Sequence, residues 1–410
     1  MEIWLREVDR RPAEEMRIFH IAGLLIVTTV MTFLCTAEEG HAQSLHFPDR
    51  WDMTFDNVLP LYRQDTVTIR FIGDVMMHSK QIESALRKDG SYDFSEWFRH
   101  IRKELSSADI SVANMEFSLG GEPYSGYPAF SAPDNIAQQV AEDGTDLFLA
   151  ANNHIYDRGH AGAERTLEQY RMTADTFGTV YTGLASDSDE EERTWPVIMT
   201  AKGIRIAFLN FTYGTNGGRR EGWPKVCYMS DRKAISEAIG RARTKNADIL
   251  IALPHWGNEY ELTHSEDQEE VARWLAEEGV DMIIGTHPHV VQDTASVEGN
   301  SHYGKTQIAY SLGNAVSNMS AANTQLELMV TARIVRHFNG DIEILPNELT
   351  FLWCSRPGGY NGSYTVLPVV ENMSGKAEWQ NPYDHENMVR TYRRVLEKTG
   401  IEENIQDINE

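Results

Sequence analysis

The stretch Val67-Thr68-Ile69-Arg70-Phe71-Ile72, which runs directly into Gly73-Asp74, sets a pattern that the rest of the chain repeats. It is rich in β-branched and aromatic residues and ends in a glycine and a carboxylate, as a buried β-strand does. Similar apolar runs predict further strands at 110–114, 146–151, 204–211, 249–253 and 282–284. Helix-like stretches lie between them at 94–107, 133–142 and 266–278. This alternation predicts an α/β fold with largely parallel strands.

The later segments extend the pattern and define the predicted domains. Residues 308–339 predict two more strands, 340–351 an edge element and 387–398 a final helix, whereas the charged run Asp187–Arg193 predicts a solvated loop. The predicted division is a signal peptide or membrane anchor at 1–42, a linker at 43–65, the main domain at 66–352 and a C-terminal extension at 353–410.

The composition excludes some classes of protein. The chain has 410 residues with 37 Lys and Arg against 61 Asp and Glu, which gives a formal net charge of −24. Nucleic-acid binding is not expected, because each neutralised phosphate needs a basic side chain nearby. An anionic small substrate remains compatible with this charge, since a bound dication reverses the local field. The 3 cysteines are too few for a disulfide scaffold or a thiolate zinc cluster.

The N-terminal region indicates export. Residues 18–34 form an apolar run that follows Arg17 and precedes the small residues Gly40 and Ala42, an arrangement typical of a secretory signal. The run also approaches the length of a membrane anchor, so a periplasmic and a membrane-anchored envelope protein both remain open. In an oxidising compartment Cys227 and Cys354 could pair, or they could remain two separate buried thiols.

Polar residues whose side chains can bind metal ions follow the predicted strands. They occupy five segments, Gly73–His78, Ala113–Glu116, Ala151–Gly159, Pro254–Tyr260 and Gly285–His289. Ligands of open α/β sheets bind at this carboxyl edge of the strands. Carboxylate, amide and imidazole groups suit divalent Mn, Zn or Fe. Each segment also has an ordinary explanation, such as a helix cap or a packed core histidine, but their joint occurrence favours a metal site.

Two common catalytic motifs are missing from the sequence. No Gly-x-Ser-x-Gly nucleophile elbow occurs, and no Gly-x-x-x-x-Gly-Lys-Ser/Thr loop is present to cradle a nucleotide phosphate. An ATP-driven ligase activity is therefore not expected in this chain. Polymer synthesis would require a partner protein.

The same segments resemble the bacterial capsule synthesis protein CapA family, also called poly-gamma-glutamate biosynthesis proteins. Besides the five segments, the resemblance rests on Tyr310-Ser311-Leu312-Gly313-Asn314, and it spans about 66–318. The family is similar to the calcineurin-like metallophosphoesterases. The resemblance therefore implies a metallophosphoesterase-like sandwich of two mixed β-sheets flanked by helices, with a metal centre of one or two divalent ions at the strand ends.

The resemblance also implies roles for individual residues. The implied metal ligands are Asp74, Glu116, Asn153, His255, His287 and His289. His154 matches the histidine that assists the leaving group, and Asp157 would orient it. Three further candidates are His78, Arg158 (for a substrate anion) and Glu259 (with Tyr260, beside the ligand histidines).

Two departures from the metallophosphoesterase pattern keep two functions open. The Asp-x-His start reads Asp74-Val75-Met76, and Glu116 stands in place of a bridging aspartate. One function is a metal-dependent hydrolase of the cell envelope that cleaves a phosphoester or glutamyl-type bond in capsule or poly-gamma-glutamate biosynthesis. The other is a non-catalytic assembly or export factor with a vestigial metal site. The implied partners are an anionic capsule polymer or phosphoester substrate and membrane-bound capsule-synthesis proteins.

Overall fold

The computed structural model of the chain describes residues 65–401, which form sixteen strands. In chain order they are β1 (Asp65–Val75), β2 (Ile110–Met115), β3 (Leu147–Leu149), β4 (Val180–Thr182), β5 (Leu184–Ala185), β6 (Val197–Ala201), β7 (Ile204–Thr212), β8 (Lys225–Val226), β9 (Ile249–His255), β10 (Met282–Ile284), β11 (Thr294–Val297), β12 (Thr306–Ala309), β13 (Leu326–Arg336), β14 (Ile342–Ile344), β15 (Glu348–Ser355) and β16 (Thr365–Pro368).

Helices of varied length connect and cover these strands. They are α1 (Ser79–Ala85), α2 (Arg102–Ser107), α3 (Asn135–Glu142), α4 (Gly159–Phe177), α5 (Ser188–Thr194), α6 (Arg232–Thr244), α7 (Glu266–Glu277), α8 (Val369–Asn372) and α9 (Pro382–Thr399). A short 3₁₀ turn spans Lys376–Glu378.

The strands form two mixed sheets. The larger, 8-stranded sheet has the order β16-β15-β13-β1-β2-β3-β4, with β14 paired to β13. Its β1-to-β4 half is parallel and its other half is antiparallel. The 6-stranded sheet has the order β11-β12-β10-β9-β7-β6, with four parallel strands between two antiparallel edge strands. Strands β5 and β8 form a separate pair.

Alternation along each strand divides the core into layers. In β7, Ile206 and Phe208 join a cluster that also contains Val67 and Ile69 of β1, so this cluster lies between the two sheets. The alternate residues Ala207 and Leu209 of β7 face a different cluster that includes the buried sides of α6 and α7. The outer side of the large sheet packs on α3 and α4 in the same way. Period-two alternation thus buries both faces of each sheet, and the predicted sandwich of two mixed sheets flanked by helices is confirmed.

Two local predictions were wrong. The helix predicted over 94–107 is helical only in α2, because residues 94–101 form turns. The run predicted as a solvated loop begins with Asp187 as the N-cap of α5, where its side chain accepts a hydrogen bond from the amide of Glu190 at 2.8 Å. The Glu190 carboxylate is buried and pairs with Arg171 at 2.8 Å. A charged run therefore forms a helix here, because one of its charges points inward to a partner.

The remaining sequence predictions concern the cysteines and the ends of the chain. Cys227 and Cys354 are both buried and free, and they belong to different core clusters, so the possible disulfide between them is excluded. The predicted signal or anchor at 1–42 and the linker up to residue 64 lie outside the described residues. Between residues 65 and 401 no helix has the length and hydropathy needed to cross a membrane.

Candidate metal centre

The predicted ligands are positioned by strand ends of both sheets. Asp74 lies near the end of β1, Glu116 directly after β2, Asn153 and His154 in the turn after β3, His255 at the end of β9, and His287 and His289 in the loop after β10. Their strands are parallel within each sheet, so their carboxyl ends meet at one edge. All of these side chains are nearly or fully buried.

The position of Asp74, the first predicted ligand, depends on the glycine that precedes it. A Cβ atom at Gly73 would lie 2.0 Å from the backbone oxygen of Gly313. The next residue, Asp74, donates its amide to that same oxygen at 3.0 Å. The pairing of β1 with β2 shifts its register at this glycine, which indicates a β-bulge. Bulges redirect the following side chain, and here the redirected side chain is the carboxylate of Asp74.

The Asp74 carboxylate is held from two sides. Its Oδ1 accepts a hydrogen bond from Nδ2 of Asn114 at 2.7 Å. Its Oδ2 accepts a longer one from the backbone amide of His287 at 3.3 Å and lies 3.4 Å from Nδ1 of His289. The two sheets therefore meet at this carboxylate.

Glu116 occupies the middle of the cluster. Its Oε1 lies 3.7 Å from Nε2 of His255, 3.7 Å from Nε2 of His289 and 4.0 Å from Nε2 of His154. Neither carboxylate oxygen accepts a hydrogen bond from the described residues, although the side chain is fully buried. Burial, and secondly the negative charge of Asp74, raise the pKa of Glu116 well above its usual value. A buried, unpaired carboxylate is costly unless a cation compensates it.

His255 has one ring nitrogen held and the other facing the cluster. Its Nδ1 lies 3.0 Å from the hydroxyl of Thr286, and its Nε2 lies 3.0 Å from Oδ1 of Asn153. Burial, with a smaller effect of the neighbouring His287, lowers the pKa of His255 well below 6.5. The neutral imidazole is the form that binds metals.

The two histidines of the Gly285–His289 loop have unusual backbones. His287 has a φ of +100° and His289 a φ of +60°, a region that non-glycine residues occupy at a cost. Burial lowers the pKa of His287 well below 6.5, and its Nδ1 has no hydrogen-bond partner among the described residues. Nδ1 of His289 lies 3.0 Å from Oδ1 of Asn314. The strained loop thus turns two imidazoles into the cluster.

His154 and Asp157 form a pair next to Glu116. Nδ1 of His154 lies 2.7 Å from Oδ2 of Asp157, which also accepts the amide of Phe130 at 2.8 Å. The side-chain amide of Asn216 reaches the same Nδ1 at 3.1 Å. We assign the proton to Nδ1 because the carboxylate is the stronger acceptor. Nε2 then faces Glu116 as the free nitrogen.

Of the three further candidates, Glu259 belongs to a group of possible ligands and the other two do not. His78 belongs to none of the possible metal groups, because its Nδ1 lies 3.0 Å from Oε1 of Gln81 and accepts the amide of Asn318 at 3.3 Å. Burial, despite the bond to Gln81, lowers the pKa of His78 to about 4. The side-chain stem of Arg158 packs close to Gly120 and Gly162, and no carboxylate pairs with it in residues 65–401.

Three groups of side chains bring ligand atoms within 4.8 Å of one another. They are Glu116 with His255 and His287, Asp74 with Glu116 and His289, and the exposed Glu259 with His287 and His289. Glu116 is common to the first two groups. Because the donor set is carboxylate and imidazole, and the orphaned oxygens of Glu116 lie at its centre, these residues fit a divalent cation.

Several residues that shape the site were not predicted. Asn114 and Thr286 contact ligands and lie inside the quoted motifs, so the motif pattern alone contained a signal for them. Tyr213 and Asn216 lie in a loop after β7 that carried no such signal. The Tyr213 ring lies 4.5 Å from that of His287. Only the folded chain brings this loop to the strand ends.

Comparisons with known proteins identify similar sequences. A family described as "Bacterial capsule synthesis protein PGA_cap" matches residues 68–319. The "Capsule biosynthesis protein CapA" of Bacillus anthracis is 26% identical over 364 residues, which cover 85% of this chain and 84% of that protein. The "PGA biosynthesis protein CapA" of Bacillus subtilis is 26% identical over 300 residues, covering 70% and 73% respectively.

Comparisons of structure give weaker similarities. The NAD nucleotidase of Haemophilus influenzae aligns with a TM-score of 0.45 at 12% identity, covering 81% of this chain and 60% of that one. A 5'-nucleotidase precursor from Thermus thermophilus aligns with a TM-score of 0.44 at 11% identity, covering 81% and 59%. The chain thus spans about three fifths of these solved chains.

Proposed function

Since this chain belongs to the bacterial capsule synthesis protein family PGA_cap, we propose that it is a metal-dependent hydrolase of capsule biosynthesis that cleaves a phosphoester bond. The observation that carries this proposal is the carboxylate of Glu116. It is fully buried, its oxygens accept no hydrogen bond from the described residues, and three imidazole nitrogens lie within 4.0 Å of it. A cation between these groups would compensate the charge.

The donor atoms also support the choice of metal. Asp74, Glu116, Asn153, His255, His287 and His289 would hold it, through carboxylate, amide and imidazole groups. This set suits Mn, Zn or Fe, and Glu116, which occurs in two of the three groups, would be available to one ion or to two. Bound divalent cations stabilise negative charge on phosphoryl oxygens and lower the pKa of a water nucleophile.

His154 is the residue we propose for proton transfer. Its Nδ1 is held by Asp157, so Nε2 is directed toward the side of the cluster where Glu116 lies. When this free Nε2 takes up a second proton, the resulting imidazolium would give that proton to the leaving oxygen of the ester. Asp157 keeps the ring oriented and stabilises the imidazolium, and its second contact to the Phe130 amide keeps the carboxylate in place.

Metal analysis combined with an activity assay tests the proposal. The purified full-length chain should contain Mn, Zn or Fe and should hydrolyse p-nitrophenyl phosphate, with γ-glutamyl-p-nitroanilide as the assay for the other bond type. His154→Ala should lower turnover by about 10²–10⁴-fold with an unchanged metal content. His337→Ala, in the β13–β14 hairpin and paired with Glu343, is the matched control. A chain that binds no metal, or a His154→Ala variant as active as wild type, would refute the proposal.

One observation favours a second function, a non-catalytic assembly or export factor. Met76, at the position where the resembled pattern has an imidazole ligand, is buried with 2% exposure and offers no such ligand. Complementation separates the two functions: a capsule-deficient strain that carries the His154→Ala variant should remain without capsule if hydrolysis is required. Restored capsule together with an inactive enzyme would support the assembly function.

We further propose that the protein acts in the cell envelope, exported by its N-terminal segment, and works there with membrane-bound capsule-synthesis proteins on an anionic polymer or its precursors. The apolar run at 18–34 after Arg17 supports export. Fractionation of cells, with N-terminal sequencing of the mature protein, distinguishes a cleaved signal from a retained anchor. Recovery of the protein in the cytosol with an intact N-terminus would contradict export.

A further inference from the structure

Three tyrosines with exposed rings stand around the metal centre. Tyr127 is 72% exposed, Tyr213 43% and Tyr260 42%, and they are among the most exposed large hydrophobic side chains in the described part of the chain. Exposed aromatic rings with polar hydroxyls are a common feature of binding surfaces. We call these three residues the tyrosine rim.

Two members of the rim lie directly beside ligand histidines. The ring centre of Tyr213 is 4.5 Å from that of His287, and the ring centre of Tyr260 is 6.3 Å from that of His289. The third is one ring away: Tyr127 lies 6.4 Å from Phe130, whose ring lies 4.5 Å from His154. The rim therefore flanks the centre both at the ligand histidines and at the proton-transferring histidine.

The backbone of Tyr260 is the second observation. Its φ is +69°, a conformation that costs a bulky residue on the order of 1–3 kcal/mol. Its amide donates to the backbone oxygen of Pro288 at 2.8 Å, which ties it to the loop of His287 and His289. Since the ring stays 42% exposed, burial does not offset this strain. Strained residues that are not stabilised by packing occur mainly at functional sites.

Polar groups accompany the rings. Glu259 precedes Tyr260 in the chain; burial first, then the charge of that carboxylate, and to a smaller extent Tyr127, raise the pKa of Tyr260 to about 12. Within residues 65–401 no Arg or Lys stacks on a rim ring. The rim thus combines flat apolar faces with hydrogen-bonding groups and one negative charge.

We propose that the tyrosine rim binds the sugar ring of a sugar phosphate monoester, such as a hexose 6-phosphate, whose phosphoryl group lies at the metal centre. The proposal rests on the phosphoester hydrolysis proposed above and names its substrate class. The C–H face of a pyranose ring fits a phenyl ring, and a carboxylate such as Glu259 accepts hydrogen bonds from two neighbouring hydroxyls. A linear polycarboxylate offers no ring that could stack on the rim.

The reaction of such a substrate balances simply. Water adds to phosphorus and releases one proton, and the bond between phosphorus and the sugar oxygen breaks. The sugar oxygen takes the Nε2 proton of the His154 imidazolium, and the proton released by the water restores that imidazolium. The products are inorganic phosphate and a free sugar hydroxyl. No oxidant, reductant or nucleotide takes part.

Substrate preference tests the rim. With the Mn-loaded full-length chain, kcat/KM for glucose 6-phosphate or N-acetylglucosamine 6-phosphate should exceed that for ethyl phosphate by at least tenfold. Tyr127→Ala and Tyr260→Asn should each reduce this ratio by about three- to tenfold. Asparagine tolerates the left-handed backbone at position 260. Tyr383→Ala, at a tyrosine of α9 whose exposure of 63% lies between those of Tyr127 and Tyr260, should leave the ratio unchanged.

The remaining outcomes are distinguishable. A ratio near one for both sugar phosphates, or a ratio that the rim variants leave unchanged, overturns the proposal. A higher kcat/KM for adenosine 5'-monophosphate than for both sugar phosphates, lost in the same variants, also overturns the proposal, because the rim would then bind a nucleobase. If no phosphoester is hydrolysed, the proposed function fails by itself. Saturation-transfer NMR with N-acetylglucosamine 6-phosphate then decides on the rim: a sugar-ring signal that disappears in Tyr260→Asn but persists in Tyr383→Ala supports it, and the absence of any signal in wild type refutes it.

Discussion

Replacing Glu116 with glutamine should make the metal-free protein more stable and the metal-loaded protein less stable than wild type. In the absence of metal, the two carboxylate oxygens are buried without hydrogen-bond donors from the described residues, and burial together with Asp74 raises the pKa of Glu116. Glu116→Gln retains the shape and removes the charge. At pH 8 in EDTA we therefore expect a gain of about 1–2 kcal/mol in the free energy of unfolding.

With metal the order should reverse. A ligand at a thousandfold excess over its Kd stabilises the folded state by about 4 kcal/mol. Glu116 belongs to two of the three groups that could hold an ion, so its loss should weaken binding about a hundredfold. This removes about 2.7 kcal/mol of the stabilisation. For a domain of this size, each kcal/mol corresponds to about 2 °C in Tm.

Thermal unfolding in EDTA and in excess Mn, for both proteins, measures this reversal. Glu327→Gln is the matched control because Glu327 is also a fully buried carboxylate with a raised pKa, but it contacts the backbone amide of Gly73 and belongs to no metal group. Glu327→Gln should show the same rise in Tm on addition of Mn as wild type. An equal shift in Glu116→Gln and wild type, or no shift in wild type, would refute the metal centre built on Glu116.

Three further predictions concern neighbouring positions. Burial raises the pKa of Glu327 from 4.5 to about 8, so its stabilising contribution is complete below pH 4.5 and is lost as the pH rises through 8. In EDTA, the free energy of unfolding of wild type should therefore fall by on the order of 3 kcal/mol more than that of Glu327→Gln between pH 5 and 8. Urea titrations at several pH values measure this difference, and the same fall in both proteins would contradict it. Asp157→Asn should lower kcat at least tenfold while metal content stays constant, because His154 loses its orienting carboxylate; an unaltered kcat would remove Asp157 from the mechanism. Gly73→Ala should destabilise by several kcal/mol, since its Cβ would lie 2.0 Å from a backbone oxygen. By contrast, Gly240→Ala, in open space on α6, should stabilise by about 0.5–1 kcal/mol in the same unfolding assay.

The secondary structure was predictable where burial alone determines the pattern. The strands β7 and β9 are buried on both faces over nearly their whole length and read as apolar runs in the sequence. The first half of β1 is buried at alternate residues and reads as an alternating pattern. The charged run at Asp187–Arg193 was not predictable as a helix, because its inward-facing residue, Glu190, is stabilised by Arg171, which is distant in sequence. Apolar periodicity contains no information about such a partner.

The chemistry of the candidate site was predictable because strand ends carry it in short motifs. Asp74, Glu116, His255 and the two histidines of the Gly285–His289 loop all follow apolar runs in the sequence. Their roles in metal binding and catalysis remain predictions. Tyr213 and Tyr260 were not recognised as a rim, because ring exposure and a positive φ are properties of the folded chain.

The amino-acid sequence by itself determined the α/β alternation, the two buried faces of each sheet and the types of donor atom at the strand ends, since these depend on residue type and local spacing. Only the tertiary structure decided that Glu116 lies between three imidazoles without a hydrogen-bond donor, and that Asp74 is held by both sheets. The physical reason is that charge compensation inside a protein depends on distance in space, and residues 116 and 289 come within 3.7 Å of each other only after both sheets have packed together.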